Sequence, residues 1–238
     1  MNLALIIPAL NEEGNVSRTI AGLPKGLVSQ LIVVDNGSTD ATADRARAAG
    51  AQVVYEPRRG YGSACLAGLA TLRAEIDAIG ILDADGSDDA SVLREMLAII
   101  ERGEADMVLS ARVLGDAVRH LSPQQRFGNW LACWLIRLGW GHRYRDMGPM
   151  RVVRRSSFEA LHMRDVTWGW NVEMQIKAVE QRLRIIEIPV VYGQRHSGKS
   201  KISGNLVGTI RAGCKILTTI GRYALTFHQR RVKSVHPA

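Results

Sequence analysis

Between residues 3 and 109, short apolar runs alternate with stretches whose apolar residues recur at helical spacing, and this alternation constrains the fold more than any other feature. Residues 3–7, 30–34, 52–55, 78–82 and 106–109 read as strands. Residues 14–23, 39–49, 61–74 and 90–102 read as helices, with Ser38 or Thr39 placed to cap the second. Strands separated by a helix pair in parallel through crossovers. The expected fold is therefore a single α/β domain, a mostly parallel sheet flanked by helices, with its binding site at the carboxyl ends of the strands. At 238 residues and 46% apolar content the chain suits one well-buried domain and is short for two.

From about Arg112 onward the pattern becomes irregular, and all five tryptophans fall within residues 130–170. That half reads as the side that receives a second substrate, while Trp130 and Trp134, at helical spacing, read as core. Three scattered cysteines with no Cys-x-x-Cys pair indicate neither a disulfide framework nor a zinc site and suit a reducing cytoplasm. The first residues lack a basic leader and meet Pro8 early, as a first strand would and a signal peptide would not. No uncharged apolar run approaches the roughly 18 residues that span a bilayer.

The run Ile81-Leu82-Asp83-Ala84-Asp85 ends in two carboxylates one residue apart, followed by Gly86-Ser87-Asp88-Asp89. On a strand reaching the sheet edge, Asp83 and Asp85 would point the same way. Hard oxygen ligands there suit Mg²⁺ or Mn²⁺ bridged to phosphate oxygens, so both aspartates are candidate metal ligands. An isolated Asp-x-Asp is also a common solvated turn, and its meaning rests on what surrounds it.

The net charge of +8 sits in the tail: beyond Glu187 there is no acidic residue, but nine basic ones. Residues 1–187 are close to neutral, with 22 basic against 23 acidic side chains. Such a tail can face phosphates or an anionic membrane, or simply aid solubility. Within it Leu206, Ile210, Leu217 and Ala224 recur on one helical face, with Arg211, Lys215 and Arg222 opposite. A basic amphipathic helix over residues 203–238 is expected, either lying on a membrane or packing its apolar stripe onto a catalytic domain of residues 1–202.

Two nucleotide-binding patterns compete. Gly60-Tyr61-Gly62 opens a helix after a strand, but Cys65 stands where a dinucleotide fingerprint needs its third glycine. Residues 193–200, Gly-Gln-Arg-His-Ser-Gly-Lys-Ser, match the P-loop formula after an apolar strand at 185–192. A P-loop needs a firm helix next and an acidic magnesium partner on a further strand; residues 201–205 start a helix poorly, and no carboxylate follows.

Ile6-Ile7-Pro8-Ala9-Leu10-Asn11-Glu12-Glu13, Ile32-Val33-Val34-Asp35-Asn36-Gly37-Ser38-Thr39-Asp40 and Leu82-Asp83-Ala84-Asp85 resemble the N-terminal signatures of family 2 glycosyltransferases with the GT-A fold. Ser110-Ala111-Arg112, Gln125-Arg126, Asp146-Met147-Gly148-Pro149-Met150-Arg151 and Arg195-His196-Ser197-Gly198-Lys199-Ser200-Lys201 are similar, in order and spacing, to acceptor-side signatures of its dolichol- and polyprenyl-phosphate sugar synthases. The resemblance covers about residues 3–202. It turns the P-loop look-alike into a basic loop closing over phosphates.

The resemblance implies that Pro8, Ala9, Glu12, Asp35, Arg59 and Gly60 hold the nucleotide, Asp83 the ribose or metal, and Asp85 the metal directly. Arg112, Arg126, Arg195, Lys199, Ser200 and Lys201 would surround an acceptor phosphate, which guanidinium forks match well. Members that glycosylate hydroxyls carry a Glu-Asp pair whose aspartate is the base; the corresponding stretch here is Trp168-Gly169-Trp170-Asn171-Val172-Glu173, so that position reads as vacant. A phosphate monoester is already an anion and needs no such base. Glu173 and Asp146 are the carboxylates left to serve as one in a shifted geometry, and Met147-Gly148-Pro149-Met150 departs from the synthases' usual Ser-Gly-Phe.

The expected activity is inverting transfer of a sugar from a UDP- or GDP-linked donor, with Mg²⁺ or Mn²⁺, to a polyprenyl phosphate. The alternatives are a soluble transferase with a hydroxyl acceptor and a nucleotidyltransferase of similar fold. The expected location is the cytoplasm, with peripheral contact to the inner face of the membrane or to a membrane-protein partner. Nucleic acid is not an expected partner.

Overall fold

The first strand, Leu3–Ala9 (β1), sends Leu3, Leu5, Ile7 and Ala9 into one core and Ile6 into another. This two-residue alternation places it mid-sheet with helices on both faces. The structure, a computed structural model, describes residues 1–113, 121–193, 197 and 206–235. After β1 come α1 (Val16–Ala21), β2 (Val28–Asp35), α2 (Thr42–Ala48), β3 (Gln52–Tyr55), α3 (Tyr61–Leu69), β4 (Ala78–Ile81) and α4 (Leu93–Glu101). The second half has β5 (Met107–Ala111), α5 (Pro123–Trp140), β6 (Arg151–Arg154), α6 (Arg155–Ala160), α7 (Trp170–Glu180), β7 (Ile185–Pro189) and α8 (Leu206–Val235).

Seven strands form one sheet in the order β3-β2-β1-β4-β6-β5-β7. Every pairing is parallel except those of β6 with β4 and β5. The chain winds outward from β1 through β2 to β3, then returns to β4 on the other side of β1. Crevices for ligands open at such a reversal, at the carboxyl edge. The antiparallel β6 does the rest: its first residue, Arg151, lies opposite Ile81 and Leu109, so the loop entering β6 shares the edge where β4 and β5 end.

The mostly parallel α/β architecture follows the sequence expectation, with differences at element ends. The second helix starts at Thr42, and neither Ser38 nor Thr39 caps it; the Ser38 hydroxyl accepts from the Asn11 N–H at 2.9 Å, and the Thr39 N–H donates to Asn11 Oδ1 at 2.8 Å. These bonds lace the first two strand-to-helix turns together. The third helix ends at Leu69, and a 3-10 turn at Ala90–Val92 precedes α4. The last strand stops at Pro189, short of residue 192, opposite Ala111 where its partner β5 also ends.

Two packing expectations are corrected. Trp130 and Trp134 are not core: they are 57% and 44% exposed, on the outer face of α5. The described part of α8 packs on the body, but through Ile216, Thr219, Ile220 and Tyr223, while Leu217 of the expected apolar stripe faces outward. The buried set has the i, i+3, i+4, i+7 spacing of a helix face. Phe227 extends it against Trp140, with ring centroids 5.8 Å apart.

Glycines in α3 and α5 separate close packing from helix preference. A Cβ on Gly62 would lie 2.0 Å from the Asp165 carbonyl oxygen, whereas one on Gly128 would meet nothing within 4 Å. Alanine is favoured over glycine inside a helix by about 0.5–1 kcal/mol, but overpacking costs about 1–3 kcal/mol. Gly62→Ala is thus expected to lower the thermal midpoint by several degrees and Gly128→Ala to raise it slightly, as calorimetry would read.

Candidate active site

Strands β1, β2 and β3 end side by side, with Ala9 opposite Asp35 and Asp35 opposite Tyr55. Asp35 is buried, and its Oδ1 accepts from the Ser38 N–H at 2.9 Å. Pro8 and Ala9 form the strand end beside it. Glu12 is buried in the next turn: its N–H donates to Thr42 Oγ1 at 2.7 Å and its Oε2 accepts from Asn15 Nδ2 at 2.7 Å. Asn36 ties in the third turn, donating to the Glu56 and Arg58 carbonyls while its Oδ1 accepts from the Gly60 N–H at 2.8 Å. Arg59 donates to the Gly37 carbonyl at 2.9 Å. The structure therefore brings Pro8, Ala9, Glu12, Asp35, Arg59 and Gly60 into three adjoining turns on one edge.

The dinucleotide-fingerprint reading fails at α3. The Gly62 and Ser63 N–H groups, which would cradle a phosphate, donate instead to the Thr167 and Val166 carbonyls at 3.2 and 3.0 Å. Gly60, at φ 150°, lets the two segments meet, since a Cβ there would lie 2.1 Å from the Val166 carbonyl oxygen.

Asp83 and Asp85 stand in the turn after β4 and not on the strand itself, because β4 ends at Ile81. Thr19 Oγ1, from α1, steadies this turn by donating to the Ala84 carbonyl at 2.9 Å. Asp83 Oδ1 accepts from the Tyr61 hydroxyl at 3.0 Å. Asp85 Oδ1 accepts from the Ser87 N–H at 3.0 Å and from its hydroxyl. Burial and the neighbouring Asp85 push Asp83 up to about 6, although the Tyr61 bond, Arg112 and Arg151 pull the other way. Asp88 joins the cluster: both of its carboxylate oxygens are buried without a hydrogen-bond partner, and burial with Asp83 nearby raises it well above the carboxylate range.

Arg112, at the end of β5, is not a spare cation. Its Nε and Nη2 grip Asp146 at 2.7 and 2.9 Å, its backbone N–H adds a third bond at 2.9 Å, and its guanidinium lies 5.2 Å from the Tyr192 ring centroid. Burial opposes the charge, but the bonds to Asp146 and its attraction hold Arg112 above the ordinary arginine value. Asp146, 2% exposed, has both oxygens engaged by Arg112, so two residues expected in separate roles are paired with each other. Arg151 is fully buried, donating to the Pro149 and Gly148 carbonyls at 2.9 and 2.6 Å.

Glu173 is likewise engaged. It accepts from the Arg164 and Asp165 N–H groups, from the Tyr223 hydroxyl at 2.7 Å and from Lys177 at 2.7 Å, joining α7 to the preceding loop and to α8. That network borders a cavity of about 640 Å³ between α7 and α8, which none of Asp35, Asp83 or Asp85 lines. Arg126 is exposed in the first turns of α5.

Arg195, Lys199, Ser200 and Lys201 lie outside the described residues, but the chain on either side of Arg195 crosses the edge just described. Tyr192 forms a bridge with Asp88, and the Gly193 N–H donates to the Ser87 carbonyl at 2.8 Å. Ser197 is held by Asn15, which accepts from its N–H at 3.1 Å and donates to its carbonyl at 3.1 Å. Sequence reasoning missed Tyr61, Asp88, Arg151 and Asn15. Asp88 carried a signal as part of the acidic stretch after Asp85, and Arg151 as the end of the signature that begins at Asp146.

Two carboxylates crowding one another, with a third orphaned beside them, are the donor chemistry that a hard divalent cation neutralises. Among the described residues no three or more His, Cys, Asp or Glu side chains are arranged to hold a metal. An ion here would depend on one or two aspartates plus ligand oxygens, the usual arrangement when Mg²⁺ binds with phosphates.

Residues 4–164 match the profile of glycosyl transferase family 2. An uncharacterized glycosyltransferase of Mycobacterium tuberculosis is 40% identical over 210 residues, spanning 88% of this chain and 94% of that relative. The undecaprenyl-phosphate mannosyltransferase of Micrococcus luteus is 29% identical over 221 residues, spanning 87% and 90%. The crystal structure of glucosyl-3-phosphoglycerate synthase from Mycobacterium tuberculosis with Mn²⁺, uridine-diphosphate and glucosyl-3-phosphoglycerate matches with a TM-score of 0.71 and 24% identity, over 92% of this chain and 80% of that one. The same enzyme was crystallised with Mg²⁺ and uridine-diphosphate. That likeness is one of fold, and the fold is GT-A. By its family profile and its relatives, this chain belongs to glycosyl transferase family 2 and is a nucleotide-sugar glycosyltransferase.

Proposed function

We propose that the chain transfers the sugar of a UDP- or GDP-linked donor to a polyprenyl phosphate, with inversion. One observation carries the choice of acceptor: Glu173 and Asp146, the two acceptor-side carboxylates that might have served as base, are both buried and fully engaged. Asn171, at the start of α7, is an amide and takes no proton near neutral pH. A hydroxyl acceptor must lose its proton as it attacks, whereas a phosphate monoester arrives as an anion. The Micrococcus luteus relative, named for an undecaprenyl-phosphate acceptor, supports the same reading.

In this reaction Asp35 and Glu12 accept hydrogen bonds from the base and ribose, and Asp83, oriented by Tyr61, faces the ribose or the metal. Mg²⁺ or Mn²⁺ held by Asp85 would stabilise the charge on the departing diphosphate. The bonds from Thr19 to the Ala84 carbonyl and from Ser87 to Asp85 keep that carboxylate fixed. An acceptor phosphate oxygen bonds to the anomeric carbon on the face opposite the breaking bond to the diphosphate, which inverts the centre. Arg126 and the segment containing Arg195, Lys199, Ser200 and Lys201 hold the acceptor phosphate, while Arg112, already paired, fixes the loop of Asp146 beside it.

Asp85→Asn is expected to fold normally yet lower turnover by about 10²–10³-fold, since it removes a charge matched to the leaving group. Full activity of this variant, or of the wild type in excess chelator, would contradict the assignment. Asp83 gives a pH signature. With a folded value of about 6 against an ordinary value near 3.9, it holds its proton in the folded state longer than in the unfolded chain. Metal-free stability should therefore fall as pH rises through that window, whereas stabilisation by UDP with Mn²⁺ should grow, because the ion binds only the carboxylate. Thermal shifts across that range read both effects, and Asp83→Asn should flatten them.

A short polyprenyl phosphate is expected to accept sugar where the matching free alcohol does not. Arg126→Ala should raise the KM for the lipid phosphate about tenfold and leave donor affinity unchanged, as charge-assisted bonds to phosphate contribute about 1.5–3 kcal/mol. Efficient transfer to a hydroxyl with none to any lipid phosphate would favour the hydroxyl-acceptor alternative.

A further inference from the structure

Helix α5 presents Phe127, Trp130, Trp134 and Leu138 on one outward face, 62%, 57%, 44% and 64% exposed. Their spacing lines them up over about 17 Å of helix, at 1.5 Å of rise per residue. The rings touch in series, with centroids 5.9 Å apart for Phe127 and Trp130 and 6.2 Å apart, stacked, for Trp130 and Trp134. Single exposed apolar residues need no explanation, but a contiguous aromatic ridge does. Its opposite face is already used, with Ala132 and Ile136 buried in the core. We propose that this ridge docks the protein on the surface of an anionic membrane, the two indoles lying at headgroup depth.

Residue chemistry and charge both favour lipid over a second copy of the chain. Tryptophan prefers the boundary between hydrocarbon and headgroups, where its ring is buried and its N–H stays wet. The ridge is flanked by Arg126 and Arg137, both exposed, and α5 carries no acidic residue. Helix α8 packs beside it through Phe227 on Trp140, and the sequence beyond Glu187 holds nine basic residues and no acidic one. Two such faces pressed together would oppose like charges, whereas anionic headgroups complement them. No helix among the described residues is long and apolar enough to cross a membrane, so contact through these helices is interfacial.

The ridge also lies beside the acceptor side. Asn129, on the body-facing side of the same helix, accepts from the Met147 N–H at 2.8 Å, next to the Asp146–Arg112 pair. Here the docking builds on the proposed lipid-phosphate acceptor: a membrane under α5 would deliver that phosphate to Arg126.

The test uses the full chain with phosphatidylcholine vesicles, with and without phosphatidylglycerol, and no polyprenyl phosphate. The expected result is sedimentation with the anionic vesicles alone, weakening as salt rises, with a blue shift of tryptophan emission. Trp130→Ser with Trp134→Ser should reduce partitioning about tenfold or more while leaving the thermal midpoint and UDP affinity unchanged. Absence of wild-type binding, or equal binding by the double variant, overturns the docking. So does a wild-type dimer in the ultracentrifuge that the double variant converts to monomer. A wild type that fails to bind vesicles yet transfers sugar to polyprenyl phosphate in detergent rejects the docking alone; a wild type that binds vesicles without such transfer rejects the acceptor alone.

Discussion

Charge balance at the carboxyl edge of β4 is the constraint on which the rest of the site depends. Asp83, Asp85, Asp88 and Asp146 interact there with Arg112 and Arg151. With all ionised, four carboxylates against two guanidinium groups leave two negative charges, the charge of one divalent cation. Burial first, and that excess second, raise both Asp83 and Asp88. Arg151 makes the arrangement tolerable in a dry sheet: its bonds to the Pro149 and Gly148 carbonyls fix it where β6 begins. Removing one partner of such a buried set typically costs about 3–5 kcal/mol, because the other is left uncompensated.

The topology explains why these groups meet. Four parallel strands deliver Ala9, Asp35, Tyr55 and the Asp83 turn to one edge, and the reversed β6 brings Asp146 and Arg151 to it from the opposite direction. Helix α7 holds the incoming loop, since the Tyr144 hydroxyl donates to the Gln175 carbonyl at 2.9 Å and Gln175 donates to the Asp146 carbonyl at 3.2 Å. Glu187 of β7 accepts from the Arg145 and Asp146 N–H groups at 3.0 and 3.2 Å. In the proposed reaction this rigidity matters, because positioning is most of what the protein contributes when the acceptor brings its own charge.

What could be read in the sequence was local. Alternating strands and helices located the sheet, and the turns bearing Glu12, Asp35 and Asp83 were recognisable because each motif lies at the end of an apolar run. Periodicity identifies a helix face but not which way it points. Trp130 and Trp134 have the spacing of a core stripe and face outward, and α8 buries Ile216, Ile220 and Tyr223 while Leu217 is exposed. Glu173 and Asp146 looked like bases because the groups that occupy them come from elsewhere in the chain: Tyr223 lies 50 residues after Glu173, and Arg112 lies 34 residues before Asp146. Tyr61 acts only through its tertiary bond to Asp83, so no local pattern announced it, and the signature that ends in Arg151 did not tell that its guanidinium is buried on the Gly148 and Pro149 carbonyls.

In the proposed reaction a divalent cation held by Asp85 at the end of β4 would neutralise the donor diphosphate. Crystals grown with Mn²⁺ and uridine-diphosphate, measured for anomalous scattering at the manganese edge, test it most directly. The expected result is one strong peak beside a carboxylate oxygen of Asp85 and the diphosphate, and none in crystals of Asp85→Asn. A diphosphate held by other groups, with manganese absent from this edge, would contradict it.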